Sequence, residues 1–303
     1  MTDTVETPAP GASPGASLGK QPGKQLGEHP APGVPAAAPR PRALITGAGG
    51  RLGQAMAVHL AARGWDVAIH YASSAEGAEQ TAAECRAAGA LAPILQADLL
   101  DGASVDALVP SALEALGGAQ AGPLSLLINN ASIFEPETLD SMTAESWERA
   151  IGSNLRAPVV LARAFAAQAP RPMLDAAGEP IAQAVIVNMI DQRVWKPTPY
   201  FMSYTLAKSA LMTFTQTAAQ ALAPGVRVGA IGPGPTLRGL RQSEAHFRNQ
   251  RAGCILKRGA DPEDIVVALD FILGCKAFTG QMLAIDGGQH LAWQTPDVMQ
   301  SGE

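Results

Sequence analysis

Tyr204 and Lys208 stand four residues apart in the segment YTLAK. On a helix that spacing puts both side chains on one face. An ammonium beside a phenol favours the phenolate and lowers its pKa, which prepares Tyr204 to pass a proton near neutral pH. Taken alone, the pair also fits two ordinary surface residues. A second group lies near the start of the well-patterned chain, where Thr46–Gly53 reads TGAGGRLG. Glycines let backbone approach a ligand, and a helix that begins there offers free N–H groups to phosphate. By itself such a turn is also compatible with no ligand at all. A third group, Asn129-Asn130-Ala131-Ser132, closes an apolar run.

These groups need elements to hold them, and from Arg42 onward the sequence alternates between apolar runs and Ala-rich helical stretches. Strands are predicted at 42–46, 66–71, 93–98, 124–130, 184–189, 226–232 and 281–288. Helices are predicted at 52–63, 75–88, near 103–116, at 144–168 and 204–222, with a helical hairpin over about 240–273. The segment 171–180 reads as a surface loop. Short apolar strands between helices imply a parallel sheet covered on both faces. Right-handed crossovers make it a Rossmann-type doubly wound α/β sheet of about seven strands, with its site at the carboxyl ends of the strands. The glycine turn then follows the first strand, the Asn pair ends the fourth, and Tyr204 follows the fifth.

Composition divides the 303 residues unevenly. Residues 1–41 hold 9 of the 24 prolines and 6 of the 31 glycines and contain no Phe, Trp or Tyr. So little bulky apolar surface cannot offset the entropy of ordering, and a disordered tail is expected there. Residues 42–303 are expected to form one domain. No run approaches the roughly 18 apolar residues of a membrane span, and no apolar segment follows the acidic N-terminus as a secretory signal would require. A net charge of −5 without basic clusters argues against nucleic acid as partner. Cys85, Cys254 and Cys275 form no CxxC pair and read as buried thiols of a cytoplasmic protein. Five histidines without ligand spacing argue against a metal site.

The end of the second strand bears on cofactor choice. Sites that prefer NAD usually place an acid there to hold the ribose 2′-hydroxyl. This chain has His70, Ser73 and Ser74, and its first acid, Glu76, comes later at a helix start, where capping explains it. NADPH is therefore favoured, with Ser74 and Arg51 as the expected contacts of the 2′-phosphate.

Together TGAGGRLG, Asp98 in QADL, NNAS at 129–132, Asn154, YTLAK and GPGPT at 232–236 resemble the short-chain dehydrogenase/reductase family, from about Arg42 to Gly288. The resemblance implies a nicotinamide cofactor held by Thr46, Gly47, Arg51, Leu52, Gly53, Asn130, Ala131, Ser132, Pro233, Gly234 and Thr236. It puts Asp98 on the adenine side and Lys208 on the nicotinamide ribose, and has Asn154 support a water that relays protons to Lys208. It also implies a homotetramer. Two departures stand out. Arg51 replaces the middle glycine of the turn, and Asp191 stands thirteen residues before Tyr204, where the family carries a catalytic Ser. An ionised Asp would repel a developing oxyanion, whereas a protonated one is an acid. Both departures, with Phe134 just after NNAS, resemble the pteridine reductase branch. That resemblance implies Phe134 stacking on a pterin, with Arg51 and Ser132 reaching the pterin edge and the cofactor phosphates.

The expected activity is thus NADPH-dependent reduction of a dihydropterin C=N bond to the tetrahydro form, with Asp191, Tyr204, Lys208 and Asn154 as the catalytic set. Hydride goes to carbon and a proton to nitrogen. An imine nitrogen is basic enough to take that proton from a carboxylic acid, and a flat pterin suits an aromatic clamp. Two other readings stay open: a ketone or 3-oxoacyl reductase, and an NADP(H)-binding regulator without turnover. Phe134 as a packing residue, Arg51 as a solvated charge and Asp191 as a partner of Arg193 or Lys196 stay open with them.

Overall fold

In the computed structural model, residues 40–239 and 242–294 are described. All but the last two residues of the tail expected over 1–41 lie outside them. Seven strands form one sheet: β1 (Arg42–Ile45), β2 (Asp66–Tyr71), β3 (Ile94–Gln96), β4 (Leu126–Asn129), β7 (Ala184–Met189), β8 (Val226–Pro233) and β9 (Met282–Ile285). Their order is β3-β2-β1-β4-β7-β8-β9, and every pairing is parallel. The sheet is thus the expected doubly wound one. Its order reverses between β1 and β4, which opens a crevice at their carboxyl ends.

Residues of the strands alternate between two apolar layers. Ala43, Ile45, Val67 and Ile69 pack with α1 (Arg51–Ala62), α2 (Ala75–Ala87) and α8 (Pro262–Gly274). Leu44, Ala68 and Leu127 pack on the other face with α3 (Gly102–Ala115), α5 (Ala157–Gln168) and α6 (Met202–Leu222). Burial on both faces is why these strands read as continuous apolar runs. Several helix starts follow local chemistry. Asp101 accepts from the Ser104 N–H at 2.8 Å, and Thr143 and Ser146 cap α4 (Ala144–Ile151) reciprocally. A last helix, α7 (Glu244–Ala252), is capped by Ser243.

Two expectations are corrected. The helix expected over 144–168 is interrupted by a π-helical turn at Gly152–Arg156. Pro158, in the first turn of α5, has no N–H to give the Asn154 carbonyl four residues back, so the ladder widens there. The loop expected at 171–180 forms a small antiparallel hairpin of β5 (Met173–Leu174) and β6 (Pro180–Ile181). Asp175 makes that turn by accepting from the backbone N–H groups of Ala177 and Glu179, at 2.8 and 2.9 Å. Of the three thiols, Cys85 and Cys254 are buried and Cys275 is partly exposed.

Candidate active site

The crevice begins with β1 running into the glycine turn. Gly47 has φ +64°, and a Cβ there would meet Ala131 Cα at 2.9 Å. At Gly53 a Cβ would lie 2.7 Å from Asn130 Nδ2. Only glycine allows the first turn of α1 to sit this close to the end of β4. The Thr46 hydroxyl accepts from the N–H groups of Asn130 and Ala131, at 2.9 and 3.0 Å. The Asn130 amide donates back to the carbonyls of Thr46 and Gly47, at 2.9 and 3.0 Å. The side chains of Thr46 and Asn130 thus lash two walls of the crevice together. The first turn of α1 carries no side-chain cap and no acidic residue, so its N–H groups and dipole suit an anionic phosphate.

His70, expected to contact the cofactor, is buried beneath the glycine turn. Its Nδ1 accepts from the Gly47 N–H at 3.1 Å, and its Nε2 lies 3.1 Å from the Ala97 carbonyl. Burial lowers its pKa, only partly opposed by the Ala97 hydrogen bond, so the neutral ring braces the turn from beneath. Ser73 and Ser74 are exposed at the end of β2, and Ser74 Oγ donates to the Gly49 carbonyl at 3.2 Å. Asp98 is exposed and accepts from the Leu100 N–H at 2.9 Å. Arg51, a non-glycine residue at φ 53°, reaches across to donate to the Leu237 carbonyl at 3.3 Å. It bridges the glycine turn and the loop after β8. In that loop the buried Thr236 donates to the Gly234 carbonyl at 3.1 Å, and Pro233 and Gly234 are partly exposed. Leu52 is partly buried behind the turn, and Ser132 is exposed at the crevice.

The groups expected to handle protons converge at the ends of β7 and α6. The Tyr204 hydroxyl donates to Asp191 Oδ2 at 2.9 Å. Asp191 Oδ1 accepts from the Arg193 N–H at 2.8 Å. Lys208 Nζ donates to the Met189 carbonyl at 2.7 Å and lies 5.7 Å from the centre of the Tyr204 ring. Burial raises the Asp191 pKa, although the Arg193 N–H and charge, Tyr204 and Lys208 all pull it down. Burial also pushes Lys208 down to about 8, against the attraction of Asp191. The expected depression of the Tyr204 pKa is corrected. Burial and then Asp191 hold the phenol well above its ordinary value, because a carboxylate that accepts its proton favours the protonated ring.

Asn154 is fully buried and holds the loop that carries Phe134. Its Oδ1 accepts from the Ile133 N–H and its Nδ2 donates to the Ile133 carbonyl, both at 2.8 Å. Its amide is therefore spent on the loop, and its backbone carbonyl lies in the π-helical turn. Phe134 is half exposed, but one face is already taken: Phe201 stacks on it at 4.2 Å and 3°. Tyr204 meets Phe134 edge-on at 4.7 Å.

Sequence reasoning missed several members. Phe201 and Arg193 join the aromatic group, with the Arg193 guanidinium 4.9 Å from the Phe201 ring centre and 5.9 Å from that of Phe134. Glu137 caps α6 from a distant loop: its carboxylate accepts from the Ser203 N–H and, at 2.7 Å, from the Ser146 hydroxyl. A buried chain also runs from Asn129 to Asn188 to Thr215, at 2.8 and 2.9 Å. Asn188 had a local signal, as the only polar residue in a run of apolar strand residues. The others had none, since no spacing rule relates 134, 137, 193 and 201.

With a doubly wound sheet, a glycine-lined phosphate cradle and an Asp–Tyr–Lys group on one crevice, the class of protein is defined, and comparison agrees. The chain belongs to the short chain dehydrogenase family, whose model matches residues 41–249, and is an oxidoreductase of that family. It is 31% identical over 256 residues to 3beta-hydroxysteroid dehydrogenase 1 of Eggerthella lenta, spanning 82% of this chain and 93% of that one. It is 28% identical over 254 residues to the 3-oxoacyl-[acyl-carrier-protein] reductase FabG of Staphylococcus aureus, spanning 82% and 98%. Among solved structures it resembles FolM alternative dihydrofolate reductase 1 from Brucella suis in complex with NADP. That match has a TM-score of 0.77 and 40% identity over 85% of this chain and 98% of that one.

Proposed function

We propose that this chain is an NADPH-dependent reductase of a C=N bond in a dihydropterin or closely related flat heterocycle. The observation that carries this reading is the contact between Asp191 and Tyr204, at the position where the family keeps a serine. Burial favours the protonated form of this carboxyl more than in an ordinary Asp, and a protonated carboxyl is a general acid. It suits a basic imine nitrogen better than a developing oxyanion.

NADPH, when bound, supplies the hydride to carbon. The glycine turn and the first turn of α1 would hold its pyrophosphate, and Ser74 and Arg51 its 2′-phosphate. Lys208 would reach the nicotinamide ribose from its buried place on α6. Asp191 delivers the proton to nitrogen and takes up another from solvent after turnover, while the Tyr204 hydroxyl, which holds its own proton, orients the carboxyl by donating to Oδ2. Asn154 fixes the loop that presents Phe134 and Ser132 to the substrate. The similar Brucella suis protein, an alternative dihydrofolate reductase in complex with NADP, supports both cofactor and substrate class.

The FabG and hydroxysteroid dehydrogenase relatives favour a second reading, reduction of a ketone. One experiment separates the two. NADPH oxidation is followed with dihydrobiopterin and, separately, with a panel of ketones and 3-oxoacyl thioesters. Turnover with dihydrobiopterin is expected, and oxidation with ketones alone would overturn the pterin reading. Tight NADPH binding without turnover on any compound would instead mark a regulator. A homotetramer belongs to the same proposal. It is supported by Val267 and Phe271, which α8 leaves 66% and 51% exposed beside the edge strand β9.

A further inference from the structure

Arg193 is the member of the site for which the proton chemistry above has no use. Its backbone N–H holds Asp191, but its guanidinium turns away to the aromatic group. It lies over Phe201 and Phe134 at 4.9 and 5.9 Å. One of its five N–H groups donates to the Thr198 hydroxyl at 2.7 Å, and its buried Nε has no partner. Among the described residues no carboxylate lies within 4 Å of the guanidinium, whereas the neighbouring Arg149 is matched by Glu135 at 3.4 Å. A guanidinium beside a substrate crevice with no carboxylate in direct contact and most of its donors unused can receive an anion.

The platform beneath it is built at a cost. Phe201 sits at φ 60°, which a bulky aromatic residue rarely adopts. It is held there because its N–H donates to the Glu137 carbonyl at 2.7 Å while the Glu137 carboxylate takes the next free N–H of α6, that of Ser203. This conformation lays the Phe201 ring flat on Phe134 and gives Arg193 a second aromatic face. Trp195 and Tyr200, both largely exposed, flank the same segment.

We infer that Arg193 determines specificity at this site, reading an anionic substituent carried by the flat substrate, with Phe201 as the stacking surface that holds the guanidinium in place. The inference rests on the reading of the crevice as one for a flat heteroaromatic. A neutral pterin would use Phe134, Asp191 and Tyr204 alone. A pterin extended by a carboxylate-bearing tail would pass over Phe201 and pair with Arg193.

The test compares 7,8-dihydrobiopterin, which is uncharged, with 7,8-dihydrofolate, which carries two carboxylates, on the full-length wild type and on Arg193→Gln and Arg193→Lys. Binding to the NADP-loaded protein is measured by calorimetry beside turnover. In Arg193→Gln the Kd and KM for dihydrofolate should rise about tenfold, the loss of one charge-assisted hydrogen bond. The Kd for dihydrobiopterin should change far less, so that the preference between the two ligands falls by nearly the same factor. Arg193→Lys should recover part of the affinity, and added salt should weaken dihydrofolate binding in the wild type alone. An equal change for both ligands, or none for either, overturns the inference. If neither compound is turned over yet dihydrofolate binding still depends on Arg193, the reduction reading fails and the anion receiver stands.

Discussion

Asp191 accepts a hydrogen bond from the Tyr204 hydroxyl and is the group whose own proton the proposed reaction uses. Replacing Asp191 by Asn keeps the shape and removes the acid, so kcat/KM for dihydrobiopterin should fall at least about 100-fold. An unchanged rate would remove Asp191 from the reaction. Because burial raises its pKa, the protonated form persists to higher pH than in an ordinary Asp. The rate should therefore fall as pH rises through that raised value, and the Asn variant should lose this limb of the profile. Lys208 behaves in the opposite sense. With its folded pKa lowered to about 8, the unfolded chain binds the extra proton between pH 8 and the ordinary value near 10.4. Lys208 therefore opposes folding below pH 8, by about 3 kcal/mol, and this opposition fades as pH rises. Lys208→Met should abolish turnover yet raise the thermal midpoint at pH 7 by a few degrees. The orphaned Met189 carbonyl offsets part of the gain, and the difference from wild type should shrink toward pH 10. A midpoint several degrees lower at pH 7 would contradict this account.

At the scale of elements, α6 shows how a site is aimed. Its first turn has no capping side chain of its own, and the cap comes from Glu137, more than sixty residues earlier. Burial pushes the Glu137 pKa up, but the hydrogen bonds from Ser203 and Ser146 outweigh it and hold the carboxyl below the usual range. Its contribution is therefore present above the unfolded value of about 4.3 and lost as pH falls through the lowered folded one. Glu137→Ala should cost about 1 kcal/mol in chemical denaturation and lower kcat, since Tyr204 directly follows Ser203, whose N–H loses its cap. The stability difference should shrink as the pH falls through that lowered value. If it persists there, the cap is not what Glu137 provides. The π-helical turn around Asn154 was not legible beforehand: Pro158 was visible, but whether the helix would break, kink or widen depended on what packs against it. The hairpin at 171–180 was misread for a related reason, since Asp175 and Gly178 signal a turn without saying that its arms pair.

At the scale of the whole molecule, the described fold begins at Arg40. Arg40 Nε lies 3.1 Å from Asp66, and the guanidinium also donates to the carbonyls of Ala61 and Trp65. A truncation removing residues 1–39 should thus keep kcat/KM within about twofold and the same oligomeric state in light scattering as the full chain. Loss of NADPH binding in that chain would show that the domain boundary lies earlier. Among the described residues no helix is long and apolar enough to cross a membrane.

Sequence alone determined the alternation of strands and helices, the doubly wound class of the sheet and the residues that end its central strands. Apolar period and turn chemistry are local properties, and a parallel sheet buried on both faces leaves few ways to wind them. It therefore also placed the glycine turn, Asn130, Asp191, Tyr204 and Lys208 on one crevice. Tertiary structure decided what those residues face. His70 braces the glycine turn from beneath, and Tyr204 went from lowered to raised pKa, because hydrogen-bond partners and burial depend on which side chains arrive from elsewhere in the chain. Phe201, Arg193 and Glu137 entered the site for the same reason: their roles come from contacts across the fold, which no spacing along the chain records.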